Sequence, residues 1–238
     1  MNELTAAFDR LAPWVFKFRI RDQDYGGAIS ALGDERLERF FCFAPDAARV
    51  LELGSLEGAH TVQIAARPGM TEVVAIEGRA ANIAKASLVQ RASGIANAEF
   101  VQANLEETDL ASFGRFDAIF CSGLLYHLPE PWKLVEALPA VAPKLFIWTH
   151  YARDAEAEVI SHGLRGKIFV ESGLEEPLSG MSPTSMWLTL GSLITALTRS
   201  GYGSVHVLHN DLTHPNGPAV TIGATTSALP PSISGGEG

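Results

Sequence analysis

From Arg49 onward, short runs of apolar and β-branched residues alternate with helical patterns, and that alternation leaves few folds open. Parallel strands need long crossover connections, usually helices, so the pattern specifies an α/β sheet with helices on both faces. Strands are read at 50–53, 72–76, 98–101, 116–120 and 145–148. Each is short and mostly apolar, as a strand covered on both faces must be. Between them, the Ala- and Lys-rich stretch 80–93 ends at Gly94, the residue type that closes a helix in the left-handed conformation. A second crossover helix is expected over 132–138, opened by Pro131 and stopped by Pro139. Trp187, Leu190, Ile194 and Leu197 lie at helical spacing between Pro183 and Gly201, which predicts a further helix there. Stretches 205–208 and 219–225 then read as a hairpin around Thr213-His214-Pro215-Asn216-Gly217-Pro218. The expectation is a seven-stranded sheet, mostly parallel, with an antiparallel C-terminal hairpin.

Three segments carry no such pattern. Residues 1–43 are expected to form a helical cap with a turn at Tyr25-Gly26-Gly27, and 151–182 an insertion over the carboxyl ends of the strands, where open α/β sheets bind ligands. The main domain is then 44–226, and 227–238 reads as a mobile tail.

Composition narrows the class of partner. With 18 basic and 27 acidic residues the net charge is −9, and no basic run interleaved with aromatics occurs, so nucleic-acid binding is disfavoured and small molecules become the expected partners. No apolar run approaches the roughly 18 residues that cross a bilayer, and the N-terminus lacks a secretory pattern, which points to a cytoplasmic protein. Cys42 and Cys121 stand far apart in unrelated contexts and read as two buried thiols. His206, His209 and His214 do not read as a metal site: 206 and 209 face opposite sides of a strand, with no Cys or carboxylate at ligand spacing.

The chemistry is carried by four strand ends. The first strand runs through Glu52 into Gly54-Ser55-Leu56-Glu57-Gly58, a glycine turn opening a helix, where missing Cβ atoms allow a ligand near the amides. Its spacing is G-x-x-x-G and not the G-x-G-x-x-G of dinucleotide sites. The second strand ends at Glu77, placed to accept hydrogen bonds from ribose hydroxyls. The third ends at Asn104 and Leu105, a side-chain oxygen and an amide suited to an adenine edge; Asn104 is equally at home in a turn. The fourth runs through Ser122 into Gly123-Leu124-Leu125-Tyr126-His127-Leu128-Pro129.

In order and spacing, these four segments resemble class I S-adenosylmethionine-dependent methyltransferases, whose fold is Rossmann-like. The resemblance spans 50–150 and departs from the family at Leu56, where a further glycine is usual. It implies S-adenosyl-L-methionine as cofactor, held by Glu52, Gly54, Ser55, Gly58, Glu77, Asn104, Leu105 and Ser122, and methyl transfer to an oxygen or nitrogen of a small molecule. His127 and His150 follow strands four and five and are the candidate bases, neutral imidazole being suited to that task at pH 7. Each histidine has a blander reading, His127 as a loop cap and His150 as a partner for the insertion. Tyr126, Tyr151 and Trp187 are candidates to line the acceptor pocket. The Leu-Tyr-His-Leu piece also resembles enzymes that alkylate tRNA wobble uridine. A nicotinamide-dependent oxidoreductase and a catalytically silent binding domain are the competing classes; the first is disfavoured by the glycine spacing and the lack of a Tyr-x-x-x-Lys pair.

Overall fold

The computed structural model describes residues 3–173 and 176–226. At its centre lies a seven-stranded sheet. Its elements begin with α1 (Glu3–Arg10), β1 (Phe16–Ile20), β2 (Gln23–Gly26), β3 (Ile29–Ser30) and α2 (Glu35–Phe43), followed by β4 (Arg49–Leu53), α3 (Ala59–Ala65), β5 (Glu72–Glu77), α4 (Ala80–Ser93), β6 (Ala98–Gln102) and β7 (Ala118–Ser122). Then come α5 (Pro131–Ala137), β8 (Lys144–His150), β9 (Val159–Ser161), β10 (Leu164–Val170), β11 (Thr184–Leu188), α6 (Leu190–Ser200), β12 (Tyr202–Asp211) and β13 (Ala219–Thr226). The central order is β12-β13-β8-β7-β4-β5-β6. Strands β4 to β8 pair in parallel, and β13 joins antiparallel to β8 and to β12, so the expected α/β sheet and its C-terminal hairpin are both present.

The sheet is parallel because its strands are apolar throughout. Val50, Leu51, Leu53, Val73, Ile76, Ile119, Phe120, Leu145 and Phe146 are all buried, which only helices on both faces can achieve. One face packs on α5 and α6 through Leu134, Val135, Leu193 and Leu197; the other packs on α2 through Phe40, whose ring meets Phe120 and Phe146 edge-on. The Ala80–Ser93 helix ends in a left-handed Gly94, as read from the sequence, and the Pro131 helix stops before Pro139.

Two segments depart from the reading. Residues 1–43 are not a helical prefix: a three-stranded sheet, ordered β2-β1-β3, lies between α1 and α2. The signal is the period-two run Phe16-Lys17-Phe18-Arg19-Ile20, with Phe18 and Ile20 buried. At its closing turn Gly27 donates to the Phe16 carbonyl, and a Cβ on Gly27 would fall 2.4 Å from the Val15 carbonyl oxygen, so no other residue fits. Likewise, 151–182 does contain strands. With β11 as its third member it forms an antiparallel sheet ordered β11-β10-β9. The expected helix from Pro183 therefore begins only at Leu190, where the Thr189 hydroxyl accepts from the Ser192 amide and caps it, while Trp187 belongs to β11. Cys121 is buried as expected and its thiol is pushed up to about 12 by burial, but Cys42 is exposed. The expected tail at 227–238 lies outside the described residues.

Two buried carboxylates tie these layers together. Glu57 is wholly buried, accepts from the Val15 and Phe16 amides at 2.8 to 3.0 Å, and pairs with buried Lys85 of α4 at 2.9 Å. The N-terminal sheet is thus clamped to the central domain by a buried charge that Lys85 neutralises. Glu52 is also fully buried, its carboxylate bonded to the Thr61 hydroxyl of α3, and burial pushes its carboxyl up to about 7.

Both make testable statements. Replacing Glu57 by Gln leaves the Lys85 ammonium buried without its counter-charge, so urea unfolding is expected to show a loss of about 3–5 kcal/mol, part of it recovered in a Glu57→Leu, Lys85→Met double variant. For Glu52 the native state holds the proton to higher pH than the unfolded chain does. The wild type is therefore expected to lose on the order of 3 kcal/mol as pH rises from about 4.5 to about 7, a slope that Glu52→Gln abolishes. Unfolding curves for wild type and Glu52→Gln that stay parallel from pH 5 to 8 would contradict this.

Candidate active site

The carboxyl ends of β4, β5, β7 and β8 open into a cavity of about 950 Å³, roofed by the N-terminal sheet and by the loop that follows β10. Its floor is the glycine turn. The Gly54 and Ser55 amides donate to the Ile76 carbonyl at 2.9 and 3.1 Å, which fixes the turn against β5. Gly54 has φ of +78°, and a Cβ there would press within 3.2 Å of the Leu124 side chain. Leu56, the position where the family usually carries glycine, has φ of +49°. The backbone requires the left-handed region whatever the side chain, and a leucine there carries a cost of about 1–2 kcal/mol. Its amide donates to Glu77 Oε2 at 2.9 Å, a charge-assisted bond that helps hold it.

The expected cofactor residues divide into two groups. Gly54, Ser55, Glu77, Asn104, Leu105 and Ser122 all line the cavity. Glu52 and Gly58 do not. Glu52 turns beneath the floor to Thr61, and Gly58 is the left-handed N-cap of α3, where a Cβ would fall 2.8 Å from the Phe100 ring. Both build the turn from behind the cavity lining. Glu77 spends more of its acceptor capacity inside the chain than the sequence reading allowed: Oε1 accepts from the Arg79 amide and Asn82, and Oε2 from Leu56. Of about four acceptor sites on a carboxylate, three are used, leaving one on Oε2 for a ribose hydroxyl. Asn104 Oδ1 accepts from the Glu106 amide at 3.1 Å, so this oxygen serves the turn and the amide group remains to face the cavity.

His127 and His150 both border the same cavity. His127 Nδ1 lies 3.1 Å from both oxygens of Glu171, a buried carboxylate held by the Gly180 amide at 2.6 Å and the Ser179 hydroxyl at 2.9 Å. Burial lowers the His127 imidazole and outweighs the opposing pull of Glu171, so the ring is neutral at pH 7. Burial works to raise Glu171, yet its hydrogen bonds and the imidazole overcome that and the carboxyl lies below its ordinary value. The carboxylate accepts the Nδ1 proton, which leaves Nε2 as a proton acceptor. His150 has a different setting: its Nδ1 donates to the Gly217 and Pro218 carbonyls of the hairpin loop at 3.1 and 3.3 Å, not to the insertion. Its ring stacks on Trp187 at 5.2 Å, with Tyr126 at 4.7 Å edge-on, and burial lowers its pKa as well. With Trp148 and His214 these rings make an aromatic wall. Tyr126 and Trp187 line the cavity, while Tyr151 packs in the core and reaches Asn210.

Sequence reasoning missed Glu171, because it sits in a segment without pattern, and Arg36, whose guanidinium reaches Ser122 Oγ at 3.2 Å from 86 residues away. Neither has a local signal. Among the described residues no group of three or more His, Cys, Asp or Glu is placed to hold a metal, and no helix is long and apolar enough to cross a membrane.

The cavity fits an adenosyl cofactor on its own evidence. Ser55 Oγ is buried at the glycine turn without a hydrogen-bond partner, and Glu77, at the cavity, keeps one acceptor site free. Known proteins agree. Residues 50–143 match the family described as a methyltransferase domain. The N-terminal domain of EvdMO1, crystallised in the presence of SAH and D-fucose, is 33% identical, with 94% of this chain and 96% of that one covered and a TM-score of 0.86. The same domain with SAH bound gives 31% identity, 95% and 98% coverage and a TM-score of 0.85. The chain spans 47% of the longer EvdMO1. The 1,6-didemethyltoxoflavin-N1-methyltransferase of Burkholderia thailandensis shares the fold at 17% identity, over 83% of this chain and 79% of that one, with a TM-score of 0.58. A search of curated proteins returned no match. With its glycine turn, strand-end carboxylate and near-complete overlap with an SAH-binding domain, the chain belongs to the class I S-adenosylmethionine-dependent methyltransferases.

Proposed function

We propose that this chain methylates a hydroxyl group of a small polyhydroxylated acceptor, a sugar being the class that fits best, with His127 as the proton acceptor. The His127–Glu171 pair inside the cavity carries this reading. A hydroxyl holds its proton far above pH 7, so its attack is assisted by a neutral base in reach, and Nε2 of a histidine whose Nδ1 proton is committed to a carboxylate is such a base. When bound, the cofactor supplies a methyl carbon on a sulfonium, an electrophile that leaves the chain the tasks of alignment and deprotonation. Ser55, Glu77, Asn104 and Leu105 are assigned to hold it, Glu77 through the free site on Oε2.

The aromatic wall supports the acceptor class. Trp148 and Tyr126 offer apolar ring surface of the kind on which the C–H face of a sugar ring rests, with Trp187, stacked on His150 and Phe169, backing the wall, and His150 is assigned to an acceptor hydroxyl there, since two carbonyls and not a carboxylate hold its Nδ1. The Thr221 hydroxyl, buried at the same cavity without a partner, adds a polar contact for a second hydroxyl. The related EvdMO1 domain was crystallised in the presence of D-fucose, which agrees with this class. Residues 1–43 and 151–182 are assigned to a cap: they bring Arg36 and Glu171 to the cavity and keep the methyl carbon from water.

The test begins with a panel of monosaccharides and other hydroxy metabolites, read by homocysteine release. On the best acceptor, His127→Ala is expected to lower kcat by about 10²–10⁴-fold while affinity for S-adenosylhomocysteine stays unchanged. Activity of the wild type is expected to fall only as pH drops below 6.5 through the lowered pKa of His127. In Glu171→Gln the carboxylate that opposes this lowering is gone, so the acid limb moves to still lower pH and the plateau drops. A His127→Ala enzyme with wild-type kcat across pH 6 to 9 would remove the base assignment.

A further inference from the structure

Two neighbouring histidines at the aromatic wall have opposite hydrogen-bonding characters. His150 Nδ1 donates to the Gly217 and Pro218 carbonyls, so in the neutral ring that burial favours, Nε2 is an acceptor. His214 is the reverse: its Nδ1 accepts from the Asn216 amide at 3.3 Å, which puts the ring proton on Nε2. The two rings stand 4.8 Å apart, edge to face, and both border the cavity. A donor and an acceptor side by side are what a single hydroxyl needs, since it gives one hydrogen bond and takes another. The loop between β12 and β13 holds His214 in place. Within it the Gly217 amide donates to the His214 carbonyl at 3.0 Å, the Pro218 carbonyl accepts from the Tyr151 amide at 3.1 Å, and a Cβ on Gly217 would fall 3.2 Å from the Trp187 ring.

Thr221 is an independent sign of a polar ligand at this place. In the antiparallel pairing of β13 with β8, Thr221 lies opposite Trp148 and Ala219 opposite His150, so Trp148, His150 and Thr221 share one face of the sheet. His214 packs on the same face, 5.7 Å from the Trp148 ring. Thr221 is 1% exposed, lines the cavity, and its hydroxyl has no partner within the chain, an unusual state for a buried polar group. The reacting hydroxyl is assigned to His127, whose ring meets Tyr126 at 4.1 Å, while Tyr126 meets His150 at 4.7 Å. The hydroxyl that fits His150 and His214 is therefore a different one. We infer that His214 sets acceptor specificity: with His150 it forms a slot for one hydroxyl that is not methylated, and Thr221 takes the hydroxyl on the neighbouring carbon. The acceptor class is then a ring that carries a vicinal diol besides the reacting hydroxyl. The inference rests on the sugar reading above and narrows it.

Kinetics on deoxygenated sugars test the slot. The wild type is assayed by homocysteine release with D-galactose, D-glucose, D-fucose and D-xylose, and the methylated position is located by NMR of the product. For the best of these, the two monodeoxy analogues that lack adjacent, non-reacting hydroxyls are expected to lose roughly ten- to a hundredfold in kcat/KM. His214→Phe keeps a ring against Trp148 and removes the donor. It is expected to lower kcat/KM for the parent sugar about as much as one of those deoxygenations does, to lose nothing further on that analogue, and to bind S-adenosylhomocysteine as the wild type does. His214→Gln, which restores an N–H, is expected to recover most of the loss. A His214→Phe enzyme that weakens the parent sugar and every analogue by one common factor would overturn the assignment while the sugar reading stands. Sensitive positions that are not neighbours would do the same, as would a wild type indifferent to every deoxygenation away from the reacting carbon; neither result depends on a variant that folds. A wild type that methylates none of the four sugars would overturn the sugar reading and the slot together.

Discussion

One five-residue turn organises this molecule. Between Gly54 and Gly58, each residue makes a commitment in a different direction. The Gly54 and Ser55 amides go to β5, the Leu56 amide goes to the Glu77 carboxylate, the Glu57 carboxylate goes to the N-terminal sheet and to Lys85 of α4, and Gly58 lets α3 start against Phe100. A backbone bent in this way can line the cavity only because its amides are satisfied by β5 and the Glu77 carboxylate. Glu52 and Thr61 close the rear of the turn with a bond fully removed from water. The floor of the cofactor site is therefore rigid before any ligand arrives, and alignment for methyl transfer is inherited from the fold.

The walls are built differently. Each comes from a segment distant in sequence and is aimed by charge: Asp34 aims Arg36 from the N-terminal cap, and Glu171 aims His127 from the segment after β10. Both carboxylates lie below their ordinary pKa, so both are anionic at neutral pH, and each offsets or orients a group that faces the cavity. The division is physically sensible. The floor of the cavity is backbone and strand ends, whereas its walls are side chains carried on added segments, where changes of length and composition can reshape the cavity without disturbing the sheet.

Much of this was legible in the sequence, and what was not has identifiable causes. Buried parallel strands write themselves as apolar runs, glycine and proline mark the helix ends, and Glu77, Asn104, Ser122 and His127 follow strands whose order a parallel sheet makes plain. Gly58 and Glu52 were placed correctly in the fold but read as ligand contacts, since a glycine needed for close packing on Phe100 looks the same as one needed for close approach of a ligand. The antiparallel sheet of β9, β10 and β11 was missed because its outer face is exposed and its strands mix Gly, Lys and Arg with apolar residues; Trp187 and Leu190 then fell at helical spacing by accident across the Thr189 cap. Glu171 and Arg36 were beyond reach, for their roles arise from contacts 44 and 86 residues away in the chain, to His127 and Ser122 respectively.

The central claim, that the turn and the end of β5 together hold an adenosyl cofactor, is most directly tested by the affinity of a folded Glu77→Ala variant for S-adenosylhomocysteine, measured by titration calorimetry beside the wild type. Loss of the ribose acceptor, together with the bond that holds the Leu56 amide, is expected to weaken binding by roughly ten- to a hundredfold or more, with the far-ultraviolet spectrum unchanged. Wild-type affinity in that variant would contradict the account.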